Sequence, residues 1–164
     1  MIFVTLGSQK FQFNRLLQKL DELVLQGAIK DEIFAQIGYS DYHPVNYQYK
    51  EFLSRDEFAE AQAKADTVIT HGGTGAIIGA VKKGKKVLAV PRLAKYGEHV
   101  DDHQIQLLKQ FDGMGIIEAC YQIDDLSNAL YKIKNNEYKA YKSNTEKIIK
   151  SIECFLDGNE YEKN

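Results

Sequence analysis

The chain has 164 residues, of which 21 are Lys or Arg and 23 are Asp or Glu, so its net charge is −2 at pH 7. This length fits one domain that can bury a hydrophobic core. The interspersed charges lack the basic footprint of a nucleic-acid-binding protein, so we expect no nucleic-acid partner. The sequence contains no run of about 18 apolar residues, which argues against a membrane-spanning helix.

Both cysteines, Cys120 and Cys154, lie in apolar surroundings and lack the spacing of a metal or redox motif. We therefore expect reduced thiols in a cytoplasmic protein. The N-terminal residues MIFVTLG enter a strand-like run directly, without the basic start or the cleavage site of a secretory signal peptide.

The N-terminal third of the chain combines strand and helix patterns. Apolar and β-branched residues predict a strand at Ile2–Leu6 that is buried on both faces. Apolar residues at helical spacing then predict a helix that Asn14 caps and Gly27 ends. Two further strands are predicted at Ile33–Gly38 and, as a short or edge strand, at Val45–Tyr49.

From residue 54 onwards, helices and strands are predicted to alternate. In chain order these elements are a capping-box helix at Ser54–Lys64, a strand at Thr67–Thr70, a helix at Ala76–Lys83, a strand at Val87–Val90, a helix at Asp101–Phe111, a strand at Met114–Glu118, a helix at Asp124–Ile133 and an amphipathic helix at Glu137–Phe155. This alternation predicts an α/β fold: a single Rossmann-like domain, with a mostly parallel sheet and helices on both faces. The domain is predicted to span residues 1–156, followed by a polar, frayed tail at 157–164.

Three loops after predicted strands are rich in glycine or polar residues: Gly7–Gln9, His71–Gly75 and Arg92–Gln104. Ligands of open α/β sheets bind at the carboxyl ends of the strands, so we expect these loops to meet at one edge. In the second loop, glycines at a helix start either cradle a phosphate or permit a tight turn. The loop matches neither GxGxxG nor the P-loop, so the sequence predicts neither an NAD nor an ATP site.

The lysines that follow the glycine cluster are predicted to lie at the opposite edge of the sheet. Lys82, Lys83, Lys85 and Lys86 come after the helix and before the next strand. They are expected to complement the C-terminus of a helix and to stay solvated, rather than to touch a ligand.

The third loop carries the densest set of polar side chains. His99 and His103 have the i, i+4 spacing of a metal pair, but HVDDH is not HExxH and no third ligand is evident, so we predict no metal site. Asp102, His103 and Gln104 suit the hydroxyls of a sugar, although Asp101 or Asp102 at a helix start is also an ordinary capping residue. His71 could act as a base, but we favour a role in orienting the glycine loop or in contacting a phosphate. No nucleophile elbow or catalytic triad is present, so the catalytic residue stays unassigned.

Three stretches together resemble a known family: Ile2–Ser8 with Phe13–Leu17, Val68–Gly75, and Val90–Arg92 with Lys95–Gln104. The chain resembles, over about residues 1 to 155, the C-terminal, donor-binding half of GT-B glycosyltransferases of the MurG-like group (glycosyltransferase family 28). It is most similar to PssE-like stand-alone subunits of bacterial exopolysaccharide synthesis. It is also similar to the catalytic subunit of the eukaryotic two-part UDP-N-acetylglucosamine transferase.

This resemblance implies that the chain binds a UDP-sugar in a cleft at the carboxyl edge, without a cofactor or a metal. The sugar would be moved with inversion to a lipid-diphosphate acceptor. The glycine loop would lie by the diphosphate, and the pair His103 and Gln104 would contact the sugar. The donor-binding residues predicted in this way are Gly7, Ser8, His71, Gly72, Gly73, Thr74, Gly75, Arg92, Glu98, Asp102, His103 and Gln104.

The chain has room for only one of the two domains of a GT-B enzyme. The resemblance therefore implies a separate, membrane-associated subunit that binds the acceptor and recruits this cytoplasmic chain to the inner face of the membrane. One residue departs from the family's pattern, because Gly79 stands where related motifs carry an acid that holds the ribose. This departure leaves open a non-catalytic regulatory subunit that keeps the fold and binds the partner. The C-terminal helix could dock on its own domain, which we favour, or on the partner.

Overall fold

The computed structural model describes residues 1–143 and residue 149. The strands, in chain order, are β1 (Ile2–Thr5), β2 (Ile33–Gln36), β3 (Gln48–Lys50), β4 (Thr67–His71), β5 (Lys86–Val90) and β6 (Glu118–Ala119). The α-helices are α1 (Asn14–Leu25), α2 (Arg55–Lys64), α3 (Thr74–Val81), α4 (His103–Gly113) and α5 (Leu126–Asn135). Short 3₁₀ turns lie at Ala94–Tyr96 and Ile123–Asp125.

All strand pairs in the six-stranded sheet are parallel, and the strand order is β3-β2-β1-β4-β5-β6. The chain moves outward from β1 to β3 and then returns to the other side of β1 at β4. In the register, Val4 of β1 lies between Ala35 of β2 and Ile69 of β4. This reversal makes the β1–β4 pair the topological switch point, where doubly wound sheets bind their ligands.

The central strands are buried on both faces, which explains their mostly apolar and β-branched sequences. In β1, Ile2 and Val4 face the core formed with α1 and α5, while Phe3 faces the core formed with α2, α3 and α4. Strands β4 and β5 alternate in the same way, because successive side chains of a strand leave opposite faces. The predicted Rossmann-like α/β fold with helices on both faces is confirmed.

Several local predictions are also confirmed. Ser54 and Glu57 form a complete capping box at the start of α2. Gly27 and Gly84 follow α1 and α3 with φ values of 71° and 72°, a left-handed conformation that favours glycine.

The third strand is shifted towards the C-terminus relative to its prediction at Val45–Tyr49. The buried carboxylate of Asp21 accepts hydrogen bonds from the backbone N–H groups of Val45 and Asn46 and from the Tyr42 hydroxyl. These bonds hold the segment before β3 as a loop, and they keep the pKa of Asp21 below its ordinary value although burial acts in the opposite direction. A tertiary contact from α1 therefore overrides the local strand pattern.

Two predicted helix caps are not formed. Phe13 occupies the N-cap position of α1, while the side chain of Asn14 bonds the backbone N–H of Tyr42 and the carboxylate of Asp41. Before α5, the residues around Asp124 form a 3₁₀ turn, so this side chain does not cap the helix.

The C-terminal elements differ more strongly from their predicted bounds. Helix α4 runs from His103 to Gly113, and only Glu118 and Ala119 pair with β5, although the predicted strand began at Met114. Residues 137–143 are not helical, so the predicted helix does not begin at Glu137. Within that stretch, the N–H of Lys139 bonds the carbonyl of Gly115. Residues 144–148 and 150–155 of the predicted helix, and the tail at 157–164, lie outside the described residues. Within the described part of the chain, no helix combines the length and apolar character needed to cross a bilayer.

Candidate functional site

The loops that follow β1 and β4 touch each other at the switch point. A side chain added at Gly7 would place its Cβ 3.0 Å from Cε1 of His71, so the imidazole packs directly against the backbone after β1. Gly7 also has a φ of 73°, which other residues rarely adopt. The structure therefore brings these two predicted loops together at the carboxyl edge.

Two glycines of the loop His71–Gly75 lie so close to neighbouring side chains that a larger residue would clash. A Cβ at Gly73 would lie 2.5 Å from Nε2 of His71, and a Cβ at Gly72 would lie 2.7 Å from Cβ of Gln104. A Cβ at Gly75 would meet nothing within 4 Å. Packing thus explains Gly72 and Gly73, whereas the protein itself imposes no steric reason for Gly75.

His71 is a neutral histidine at physiological pH. Burial, reinforced by the positive charge of Arg92, lowers its pKa to about 4. Because the Thr70 hydroxyl donates to the carbonyl of Thr5, the 3.3 Å contact between Thr70 Oγ1 and His71 Nδ1 assigns the proton to Nδ1. Nε2 then carries a lone pair between Gly7 and Gly73. This arrangement supports the loop-orienting role for His71.

The start of α3 offers several backbone donors. Gly73 is the N-cap and makes no side-chain cap, and the N–H groups of Thr74, Gly75 and Ala76 have no partner among the described residues. Thr74 and Gly75 are exposed. Free N–H groups at the positive end of a helix dipole are suited to an anion such as a phosphate.

Arg92 lies within the fold rather than at the surface of the cleft. It is 1% exposed, and its guanidinium donates to the carbonyls of Leu6, Phe11, Gln12 and Glu98. Burial lowers its pKa to about 10, so it remains charged. Its Nε is buried without a partner in the described part of the chain. The predicted direct contact with a donor does not fit this geometry, because Arg92 instead clamps the loop after β1 to the loop after β5.

Glu98 is likewise enclosed. Its side chain is 0% exposed; its carboxylate accepts two hydrogen bonds from Arg15, at 3.0 and 2.9 Å, and one from the backbone N–H of Leu93. Arg15 also donates to the carbonyl of Pro91. Glu98 was predicted as a donor-binding residue, but it has no surface to present to a ligand. It positions the loop after β5 against α1.

Gln104 joins two of the loops. Its Oε1 accepts the backbone N–H groups of Gly72 and Arg92, each at 3.0 Å. Because Gln104 lies in the first turn of α4, these bonds fix the start of that helix next to the glycine loop. The structure thus places this predicted residue beside the loops after β4 and β5, largely buried.

The remaining predicted residues are exposed. Ser8 follows Gly7 at the surface, and Asp102 accepts the N–H of Ala94. His103 contacts Asp101 through Nδ1, and this contact lowers the pKa of the Asp101 carboxyl. Asp101 was considered only as a helix cap, yet it lies between His99 and His103, and its Oδ1 already bonds the N–H and Nδ1 of His103.

Sequence reasoning missed an aromatic pair at the same edge. Tyr39 and Phe52 follow β2 and β3, are 49% and 44% exposed, and pack edge to face with ring centroids 5.1 Å apart. They offer a surface against which a planar ring can stack. Aromatic residues directly after two strand ends were the available signal.

The lysines lie at the opposite edge, as predicted, but they are bonded rather than only solvated. Lys85 donates to the carbonyls of Ala63 and Ala65, where α2 ends, and Lys86 donates to carbonyls at the end of α5. A cavity of about 510 Å³ beside them is also lined by Met1, whose ammonium pairs with Asp66. Because its charged groups already have partners, we place the candidate site at the carboxyl edge.

The fold is similar to that of several solved glycosyltransferases. MurG from Acinetobacter baumannii matches with a TM-score of 0.55 and 21% identity over 82% of this chain and 41% of that one. The glycotransferase of kitacinnamycin matches with a TM-score of 0.59 and 18% identity over 82% of this chain and 35% of that one. The chain thus spans about a third to two-fifths of the length of these proteins.

ALG13, in contrast, is matched over nearly its whole length. Its solution structure matches with a TM-score of 0.58 and 16% identity, over 92% of this chain and 93% of that one. No curated protein sequence matches the chain. The sequence profile of the glycosyltransferase family 28 C-terminal domain matches residues 1–156. The chain therefore belongs to the glycosyltransferase family 28 C-terminal domain family.

Proposed function

We propose that this chain is the donor-binding subunit of a two-component inverting glycosyltransferase. It takes a hexosyl group from a UDP-sugar and transfers it to a lipid-diphosphate-linked acceptor during exopolysaccharide or capsule assembly. The acceptor is bound by a separate, membrane-associated subunit, which recruits this chain to the inner face of the membrane. Activity requires both subunits.

One observation carries the donor part of this proposal. The N–H groups of Thr74, Gly75 and Ala76, which have no partner among the residues that the structure describes, begin α3 at the switch point, where an anionic diphosphate gains hydrogen bonds and a favourable dipole. The exposed pair Tyr39 and Phe52 lies at the same edge and suits a planar base. The enclosed side chains of Arg92 and Glu98 brace the loops of the cleft without entering it.

The lengths of the relatives support the two-component part. The chain corresponds to about a third of the kitacinnamycin enzyme but to nearly the whole of ALG13. A single Rossmann-like domain supplies one wall of a GT-B cleft, and we propose that the wall that binds the acceptor comes from another domain. We therefore expect the general base that deprotonates the acceptor hydroxyl to belong to that domain or to the interface.

Calorimetric titration with UDP, with uridine as the control ligand, tests donor binding. We expect UDP to bind and uridine to bind at least tenfold more weakly, because uridine lacks the diphosphate. The variant Gly75→Ala sharpens this test, since its methyl group meets no protein atom within 4 Å but would face a phosphate. It should keep or raise the stability and weaken UDP binding at least tenfold. Absence of UDP binding, both alone and with the partner subunit, would refute the proposal.

Gly79 favours a second candidate function, a non-catalytic regulatory subunit of the same fold. It is exposed on α3, and a Cβ there would meet nothing within 4 Å, so an acid would fit but is missing. We would compare UDP affinity and transferase activity between the wild type and Gly79→Glu, each paired with the partner subunit. An inactive wild type with an active variant supports the regulatory subunit, whereas a wild type that binds UDP and is as active as the variant argues against it.

A further inference from the structure

One positively charged side chain lies buried beneath the candidate site. Arg92 is 1% exposed, and in the described part of the chain its guanidinium bonds only backbone carbonyls, those of Leu6, Phe11, Gln12 and Glu98, at 2.6 to 3.3 Å. Carbonyls are neutral, so these bonds hold the guanidinium without cancelling its charge. Burial lowers its pKa to about 10, which keeps it positive at pH 7.

The neighbouring buried acid leaves this charge in excess. The carboxylate of Glu98 is 0% exposed, but it forms its ion pair with Arg15, at 2.9 Å, and offers Arg92 only its backbone carbonyl. Two guanidinium groups therefore stand against one carboxylate, so the three side chains together keep one positive charge in excess. A buried charge without an opposite charge is costly, and an anion bound nearby lowers that cost.

The excess charge lies close to the start of α3. Nη2 of Arg92 donates to the carbonyl of Leu6 at 2.6 Å, directly before Gly7. A Cβ at Gly7 would lie 3.0 Å from Cε1 of His71, so this imidazole covers the backbone that the guanidinium binds. The other side of the imidazole packs against Gly73, the N-cap of α3. Loop backbone and one imidazole thus connect the buried charge to the start of the helix.

The field of Arg92 reaches this imidazole. Burial, and after it the positive charge of Arg92, lower the pKa of His71 to about 4. His71 is therefore neutral at pH 7 and does not offset the charge of Arg92. A buried charge acts through a medium of lower dielectric constant than water, and dissolved salt screens it less than an exposed charge. Arg92 can thus attract an anion at the start of α3 without touching it.

We propose that the buried charge of Arg92 sets the preference of the donor site for a nucleoside diphosphate over the monophosphate and the uncharged nucleoside, without contacting the ligand. The role assigned to Arg92 rests on the proposed donor-binding function and adds to it the residue that determines charge specificity. The carbonyl bonds of Arg92 hold the loops equally for charged and uncharged ligands. Its charge, in contrast, acts more strongly on a ligand with more negative charge.

Calorimetric titration with UDP, UMP and uridine tests this role in the full chain, or in its complex with the partner subunit if UDP binds only there. Arg92→Met should lower the ratio of UDP affinity to uridine affinity at least about fivefold, with an intermediate loss for UMP, which carries less charge than UDP. Arg92→Lys keeps the charge but loses part of the fork of carbonyl bonds, so its ratio should stay within about twofold of the wild type. Urea unfolding verifies that each variant is folded.

Glu98→Gln changes the charge in the opposite direction and stays informative if Arg92→Met fails to fold. Without the carboxylate, both guanidinium groups are uncompensated, so the ratio of UDP affinity to uridine affinity should rise at least about threefold. A structural defect alone would not favour the charged ligand. Lys85→Met is the matched control, because Lys85 also bonds carbonyls of the fold but lies at the amino edge. Its ratio should stay within about twofold of the wild type.

The role of Arg92 is overturned if Arg92→Met leaves the affinity ratio unchanged, or, where that variant does not fold, if Glu98→Gln does. It is also overturned if Arg92→Lys or Lys85→Met lowers the ratio as far as Arg92→Met. A wild type that binds no UDP, alone or with the partner subunit, contradicts the proposed function and this role together. UDP binding with the same ratio in every variant contradicts the role of Arg92 alone.

Discussion

At the amino edge of the sheet, the side chains of Lys85 and Lys86 bond the carbonyls at which α2 and α5 end. At the carboxyl edge, the N–H groups at which α3 begins have no partner among the described residues. Helix ends carry unpaired backbone groups at both edges. The protein satisfies those at one edge with its own cations, whereas the N–H groups at the other edge stay without a partner in the described part of the chain. Positive charge in the sequence therefore marked the edge that is already satisfied.

The largest expected effect comes from the one buried cation of the described carboxyl edge. Arg92→Met leaves carbonyls of Leu6, Phe11 and Gln12 without their donor inside the fold. We expect a loss of about 3 to 5 kcal/mol in the free energy of unfolding, measured with urea. Lys95→Met, three residues further on and exposed, should change stability by less than about 0.5 kcal/mol. Equal losses would show that Arg92 is no clamp.

His71 should make the stability of the carboxyl edge depend on pH. Its folded-state pKa of about 4 lies below the ordinary value of 6.5, so the unfolded chain binds more protons between these values. Stability is therefore full above pH 6.5 and falls as the pH drops towards 4, by up to about 3 kcal/mol at about 1.4 kcal/mol per pKa unit. Urea unfolding at pH 7 and pH 4.5 measures this loss. His71→Gln should remove it, and a variant with the wild-type pH dependence would contradict the assignment.

Alanine substitution distinguishes the two kinds of glycine in the loop His71–Gly75, those packed against a side chain and those beside open space. Gly73→Ala places a methyl group 2.5 Å from Nε2 of His71 and should cost about 1 to 3 kcal/mol. Gly75→Ala meets no atom and should stabilise α3 by up to about 1 kcal/mol, since alanine favours helices. Thermal and urea unfolding would detect both changes. A destabilised Gly75→Ala would contradict the open space next to α3.

The smallest effect should come from the amino edge. Lys85→Met removes the donor to the carbonyls of Ala63 and Ala65, which can turn to water instead. We expect a loss of about 1 kcal/mol or less in urea unfolding. UDP binding should stay within twofold of the wild type. A tenfold loss of UDP affinity would show that UDP binds at the amino edge instead, and it would contradict the candidate site.

The sequence was sufficient for the architecture because buried parallel strands have a distinctive pattern. Ile2–Leu6 is a run of apolar and β-branched residues and Val87–Val90 is wholly apolar, and strands β1, β2, β4 and β5 lie where they were predicted. The loop before β3 could not be foreseen, because Asp21 reaches it from a helix more than 20 residues earlier. Contacts of this kind depend on the folded arrangement rather than on local propensity.

The site was predictable in its location but not in the role of its charged residues. The glycine loop and Gln104 lie at the expected edge, because strand ends and helix starts can be recognised in the sequence. Arg92 and Glu98 were predicted as ligand contacts from the family resemblance, and full burial was not foreseen because charged residues are rarely fully buried. Their burial depends on partners brought from α1 and from the loop after β1. Asp101 was interpreted only as a helix cap, and its contact with the side chain of His103 was not foreseen.

The two hydrogen bonds at Oε1 of Gln104 determine which hydrogen-bonding group of this amide stays free. Both backbone N–H groups need an acceptor, so the oxygen must face them and the amide cannot flip. The remaining group, Nε2, carries only N–H donors. Gln104 can therefore recognise a lone pair, such as that of a hydroxyl or phosphate oxygen, and never a donated proton. A glutamate would keep both backbone bonds and present an acceptor oxygen in place of the N–H donors.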